Sequence, residues 1–125
     1  MTLTVMVLAS QAYALDDDWH WYDTALLAGA LAVTEIDREQ TVWFLSRPSR
    51  YYEANPVLYG HPTVANVDTA VALTVGAAAL TAWLLPEPYR EVLLVGWIAT
   101  EGGVVYYNSY VHHTPAPLLG VNLHW

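Results

Sequence analysis

The fold is decided by the stretch Val67-Asp-Thr-Ala-Val-Ala-Leu-Thr-Val-Gly-Ala-Ala-Ala-Leu-Thr-Ala-Trp-Leu-Leu85, which is almost entirely apolar. Residues 69–86 carry no charge. At about 1.5 Å per residue, a helix of this length crosses most of a hydrocarbon layer roughly 30 Å thick. Gly76-Ala-Ala-Ala79 gives it a small-residue face, which lets membrane helices approach closely. The stretch therefore predicts a membrane-spanning helix.

The composition places the whole chain in the same class. Of 125 residues, 55% are hydrophobic and 13% are charged, which is about half the charged share of a soluble domain. Lys and Arg together number four and the net charge is -8, so the chain lacks the basic face that nucleic-acid binding requires. The sequence has no Cys, which excludes disulfides and thiolate metal sites.

Two further apolar segments flank this stretch. Thr24–Leu45 and Val92–Val111 are each long enough to span a bilayer. In the first segment Ala25, Gly29 and Val33 recur every four residues, a spacing typical of closely packed membrane helices. We therefore expect an all-α fold, a small integral membrane bundle of three transmembrane helices with a structured loop of about 20 residues after the first.

The two ends of the chain differ from the helical region. We expect residues 1–23 to form an N-terminal apolar segment with an acidic and aromatic boundary, residues 24–113 the membrane domain, and residues 114–125 an interfacial tail. Met1–Ala14 is interpreted as a signal peptide, an interfacial helix or the product of a misassigned start codon. Asp18 or Asp23 is expected to N-cap the first helix.

Polar side chains interrupt the first and third helices. Ionisable groups at membrane depth are costly and usually face a bundle interior. The set predicted to form an intramembrane polar cluster is Glu35, Asp37, Arg38, Gln40, Thr41, Glu101 and Asn108. Within it we expect a clasp of Glu35, Arg38, Glu101 and Asn108. Glu101 is interpreted either as a structural member of this clasp or as a proton-handling or ligand-binding carboxylate.

Catalytic and metal-binding signatures are weak. Serine residues lack the G-x-S-x-G context, and Gly102-Gly103 lies inside a predicted span. The weak metal candidates are Glu53, His61, His112 and His113, with His20 as a further donor, but their spacing matches no ligand motif. Histidines at a helix end also have a simpler explanation, because they favour the negative end of the helix dipole. We expect no cofactor, no metal and no catalytic residue.

The loop between the first two helices contains Tyr51-Tyr-Glu-Ala-Asn-Pro-Val-Leu-Tyr-Gly-His-Pro62. This stretch resembles a group of small, uncharacterised three-span membrane proteins of bacteria, phages and prophages. The matching loop residues are Tyr52, Glu53, Asn55, Pro56, Gly60, His61 and Pro62, and Tyr59 departs from the pattern. Upstream matches at Asp37, Gln40 and Thr41, and matches at Glu101 and Asn108, extend the resemblance over about residues 24–112. It implies a three-span fold and no particular activity.

Arginines near the end of the first helix indicate its orientation. Arg38, Arg47 and Arg50 favour a cytoplasmic Ser46–Asn66 loop, whereas Arg90 opposes it. With the resemblance, this predicts a bacterial inner-membrane protein.

Three functions stay open. The first is association with a protein partner or a second copy within the lipid bilayer, as an accessory subunit or phage-type membrane protein. The second is a membrane enzyme or metal-binding protein using Glu53, His61, Asp37 and Glu101. The third is an oligomeric ion or proton pathway through Glu101.

Overall fold

The computed structural model describes residues 19–47, 62–112, 114, 116–118 and 121–123. Helix α1 runs from Trp21–Leu45, α2 from Val64–Leu84 and α3 from Tyr89–His112. The described residues confirm the prediction of three helices, of which one meets the length and hydropathy criteria for a membrane span. Strands β1 (Ala116–Leu118) and β2 (Val121–Leu123) form a small antiparallel hairpin, which the sequence did not predict.

Two polar caps fix where α1 and α2 begin. His20 is the N-cap of α1, and the Asp23 carboxylate Oδ2 accepts the His20 backbone N–H at 2.9 Å. The prediction that Asp23 is itself an N-cap is wrong, because it lies three residues inside the cap. At α2, Thr63 Oγ1 accepts the Asn66 N–H at 3.2 Å while Asn66 Oδ1 accepts the Thr63 N–H at 2.9 Å. These reciprocal bonds satisfy amides that the first turn leaves free.

The turn between α2 and α3 is shorter than the sequence indicated. The third apolar segment was predicted to start at Val92, but α3 already begins at Tyr89. The Pro86 carbonyl accepts the backbone N–H groups of Tyr89 and Arg90 at 3.0 and 3.2 Å. Pro88 just before the helix fits its first turn, where a missing N–H costs nothing. Arg90 therefore belongs to a helix and not to a loop.

Helix α1 makes its most extensive contact with α3 and a smaller one with α2. A Cβ placed on Gly29 would lie 3.3 Å from Ile98 Cδ1, so the absence of a side chain lets α3 approach. By contrast, a Cβ on Gly76 or Gly103 would meet nothing within 4 Å. The small-residue face predicted at Gly76 therefore does not pack against the described residues, and neither does Gly103, whereas Gly29 does.

Helix α2 is the one described helix that is long and apolar enough to span a membrane. Its most apolar window has a mean hydropathy of 1.5, and 17% of that window is buried. Helices α1 and α3 do not meet the same criterion. In α1 the charged run Glu35–Glu39 lowers the hydropathy, and in α3 Glu101 and four tyrosines do so.

Substitution of one buried and one exposed leucine tests this packing. Leu94 is fully buried in α3, and Leu73 of α2 is 70% exposed. Replacing Leu94 with Ala should lower the free energy of unfolding by about 2–5 kcal/mol, because it leaves a cavity. Leu73→Ala should change it by less than about 0.5 kcal/mol. Denaturant titration of the detergent-solubilised protein, followed by tryptophan fluorescence, measures both; equal losses would contradict the packing.

Candidate functional site

The most densely connected polar group lies where α1 begins and α2 turns into α3. We call it the junction cluster and define it as His20, Tyr22, Asp23, Glu87 and Arg90. The first three belong to the cap and first turn of α1, Glu87 lies in the turn, and Arg90 opens α3. The cluster is thus assembled from chain segments that are far apart in the sequence.

A buried ion pair forms its centre. Arg90 is 2% exposed and Asp23 is fully buried. The Arg90 Nη1 group donates to Asp23 Oδ2 at 3.2 Å, and its Nε donates to the Ala82 carbonyl of α2 at 3.1 Å. The guanidinium carbon also lies 5.0 Å from the centre of the Trp19 ring. One side chain therefore contacts all three helices or their immediate flanks.

The two oxygens of the Asp23 carboxylate have different surroundings. Its Oδ2 atom accepts hydrogen bonds from the His20 backbone N–H and from Arg90. Its Oδ1 atom is buried and has no hydrogen-bond partner among the described residues. Most buried side-chain oxygens have at least one hydrogen-bond partner, so Oδ1 is an exception within the cluster.

Two side chains from the start of α1 contact the Glu87 carboxylate. The Tyr22 hydroxyl donates to Glu87 Oε1 at 2.7 Å, and His20 Nδ1 lies 2.8 Å from the same oxygen. The His20 and Tyr22 rings stack with centroids 4.9 Å apart. The hydrogen bond from Tyr22 lowers the pKa of Glu87, with the charge of His20 adding to it. The same bond raises the pKa of Tyr22 to about 12.

Three members of the cluster could hold a metal ion. One ligand atom from each of His20, Asp23 and Glu87 lies within 4.8 Å of the others. Among the weak candidates from the sequence, Glu53, His61 and His113 lie outside the described residues. The described one, His112, makes edge contacts with the rings of Phe44 and Tyr107.

The predicted intramembrane polar cluster separates into two groups. In the first, Arg38 bonds Asp68 of α2 at 2.7 Å, lies 3.4 Å from Glu35 and also contacts Glu39. Asp68 was not predicted as a member. Because this group faces α2, it lies away from the polar contacts between α1 and α3.

The second group joins α1 to α3. The fully buried Gln40 side chain donates to Ser109 Oγ at 2.9 Å and accepts from Asn108 Nδ2 at 3.2 Å. Further along, Trp97 Nε1 donates to Thr34 Oγ1 at 3.0 Å. Both contacts satisfy polar groups between helices, which is the role expected of such residues in membrane bundles.

The expected clasp of Glu35, Arg38, Glu101 and Asn108 does not form as one unit. Glu101 is half-buried and makes no hydrogen bond or ion pair with the described residues. It lies seven residues before Asn108, about 10 Å along the helix, so it cannot share the partners of Asn108. Asp37 and Thr41 lie in α1, half-buried and buried respectively.

The loop motif falls almost entirely outside the described residues. This applies to Tyr52, Glu53, Asn55, Pro56, Gly60 and His61. Pro62 is described and lies just before the Thr63 cap of α2. A comparison of the chain with protein-family models, curated proteins and solved structures finds no match.

Breaking the buried Asp23–Arg90 ion pair should destabilise the folded protein. Replacing Arg90 with Met leaves the Asp23 charge buried without its cation, and we expect a loss of about 3–5 kcal/mol in the free energy of unfolding. The double variant Asp23→Asn with Arg90→Met should lose less than the single one. The control is Arg38→Met, whose partners Asp68 and Glu35 are about half exposed; it should cost about 0–1 kcal/mol. Similar losses for Arg90 and Arg38 in denaturant titrations would contradict the assignment.

The bond from Tyr22 should be visible in the titration of Glu87. Tyr22→Phe removes the donor that stabilises the ionised carboxylate, so the pKa of Glu87 should rise toward its ordinary value. In the wild type, the contribution of this contact to stability is present at neutral pH and is lost as the pH falls through that lowered pKa. Carbon-13 NMR of labelled Glu in EDTA-containing buffer measures it. Tyr89→Phe, at an exposed neighbouring ring, is the control, and an unchanged pKa in Tyr22→Phe would refute the bond.

Proposed function

We propose that this protein is a small multi-pass membrane protein that acts by association with a second copy of itself within the bilayer, and not by catalysis. The observation that carries the proposal is an exposed face of small residues on α3, described below. The resemblance to three-span proteins of bacteria and phages agrees with it and adds the expectation of a bacterial inner membrane and a cytoplasmic Ser46–Asn66 loop.

The exposed surface of α2 supports the membrane location. Leu73, Leu80 and Leu84 are 70%, 53% and 62% exposed, although they belong to the most apolar of the described helices. A core helix of a water-soluble protein would bury such residues, and large exposed apolar surfaces mark contact with a membrane or a partner. Lipid would cover this helix.

The other two helices have the length to span as well. Helix α1 has 25 residues and α3 has 24, and at about 1.5 Å per residue each exceeds the roughly 30 Å of hydrocarbon. Amide side chains on α1 and α3 engage each other between the helices, as in the Gln40–Asn108 bond. Polar residues at membrane depth are tolerated when they face the bundle interior in this way.

A face of small residues on α3 supports association. Gly96, Ala99, Thr100 and Gly103 recur at helical spacing, and all four are exposed. A Cβ on Gly96 or Gly103 would meet no atom within 4 Å. Small residues at this spacing let two membrane helices approach closely. The face is free in the described chain, so a second copy of α3 would fit against it.

Replacing Gly103 with Leu tests the association. The larger side chain should block close approach of two α3 helices without disturbing the fold of one copy, because nothing lies near it. We expect the dissociation constant of the dimer in mild detergent, measured by analytical ultracentrifugation, to rise at least about tenfold, a loss of about 1.4 kcal/mol.

Gly76→Leu is the matched control, since Gly76 of α2 also meets nothing within 4 Å. It should leave the dimer fraction unchanged. A wild-type protein that stays monomeric at all detergent-to-protein ratios, or a dimer equally sensitive to both substitutions, would contradict the proposal.

The alternatives from the sequence gain less support. A catalytic or metal site at Glu53, His61, Asp37 and Glu101 depends on two residues outside the described chain. An oligomeric ion pathway through Glu101 would need this carboxylate at the interface between copies. Glu101 instead shares the half-buried side of α3 with Trp97 and Asn108, both of which bond α1.

A further inference from the structure

We propose that the junction cluster binds one divalent transition-metal ion, with Zn²⁺ as the best match, through His20, Asp23 and Glu87. This site is independent of the association face on α3, which lies further along that helix. The proposal concerns a metal-binding site at the end of the bundle where α1 begins, and it rests on the geometry of three side chains and on one unsatisfied oxygen.

The unsatisfied oxygen is Asp23 Oδ1. Asp23 is fully buried, yet within the part of the chain that the structure describes this atom has no hydrogen-bond partner. The other carboxylate oxygen, Oδ2, is already held by the His20 backbone N–H and by Arg90. A buried oxygen without a partner is costly, and a bound ion or an ordered water is its usual explanation. The carboxylate is thus held through Oδ2, the oxygen that lies 4.0 Å from His20 Nδ1, while Oδ1 has no partner among the described residues.

The distances within the cluster suit a compact site. His20 Nδ1 lies 2.8 Å from Glu87 Oε1 and 4.0 Å from Asp23 Oδ2. Ligands at about 2.0–2.2 Å from a tetrahedral zinc ion are roughly 3.3 Å apart. His20 and Glu87 have side chains that are 42% and 34% exposed. Both can therefore adjust by the small amount required and are open to an ion from solution.

The chemistry of the donors narrows the identity of the ion. An imidazole with two carboxylates is a donor set that suits zinc and related transition metals, whereas magnesium and calcium prefer oxygen ligands alone. Three protein ligands leave a fourth position for water. Zinc is therefore the probe that the site should prefer.

The surroundings supply the hydrogen bonds that metal ligands usually receive. The Tyr22 hydroxyl donates to Glu87, and Arg90 donates to Asp23. Such outer contacts orient the ligands and contribute to affinity. The positive charge of Arg90 offsets one carboxylate, and the second carboxylate of the cluster leaves a net negative charge for the cation.

Zinc titration of the full-length protein tests the proposal. The protein is purified in mild detergent, freed of metal with EDTA, dialysed, and titrated with ZnCl₂ by isothermal calorimetry, with native mass spectrometry giving the stoichiometry. We expect one ion per chain. His20→Gln and Glu87→Gln should each weaken binding at least about tenfold, and circular dichroism should show an unchanged helix content because both side chains are partly exposed.

The matched control is His112→Gln, the same substitution at the opposite end of α3. It should keep the wild-type affinity. Absence of stoichiometric zinc binding would overturn the proposal, as would binding that survives His20→Gln or that is lost in His112→Gln. In those cases His20 and Glu87 form an ordinary ion pair.

Discussion

The arrangement of the helices depends on the guanidinium group of Arg90. It donates to Asp23 in the first turn of α1 and to the Ala82 carbonyl in the last turn of α2, while its own backbone belongs to the first turn of α3. Ala82 and Asp23 are fully buried around it. A planar group with several fixed donors is suited to such a junction, because it can satisfy acceptors on different elements at once. Removing it would leave both a charge and a helix-end carbonyl without a partner.

Away from this junction, the three helices are held unequally. Helices α1 and α3 share the Thr34–Trp97 and Gln40–Asn108 bonds. They also approach closely at Gly29, which packs against Ile98. Helix α2 makes fewer contacts with the other two helices than they make with each other, and most of its apolar surface is exposed. A bundle with polar contacts inside and apolar side chains outside reverses the usual pattern of a water-soluble domain, and this reversal motivates the proposal that lipid surrounds it.

The parts of the fold that follow from local patterns could be predicted from the sequence. The charge-free stretch after Asp68 predicted α2, and the spacing of Ala25, Gly29 and Val33 identified a face of α1 that packs at Gly29. The helix starts were less predictable. Helix α2 begins three residues before its apolar run because Thr63 and Asn66 cap it. Helix α3 also begins three residues before its apolar run, directly after two prolines.

The candidate site was harder to predict because its members come from separate segments. In the sequence Arg90 was considered only as a charge that bears on orientation, and Glu87 was not singled out. Nothing local indicates that the turn between α2 and α3 folds back onto His20 and Asp23. The one local signal in the sequence was the spacing of His20 and Asp23, which lie three residues apart at the start of α1. Pairing of Arg38 with Asp68 was missed for the same reason, because a charge at the edge of an apolar stretch is usually solvated.

Accessibility of single cysteines along α2 tests most directly whether lipid surrounds the bundle that Arg90 holds together. The natural chain has no Cys, so each variant carries one reactive thiol. In membrane vesicles, Leu73→Cys and Leu80→Cys should resist a water-soluble maleimide, whereas Pro86→Cys in the exposed turn should react when the reagent reaches its side. After denaturation in detergent all three should react. Equal rapid labelling of Leu73→Cys, Leu80→Cys and Pro86→Cys in intact membranes would contradict the account.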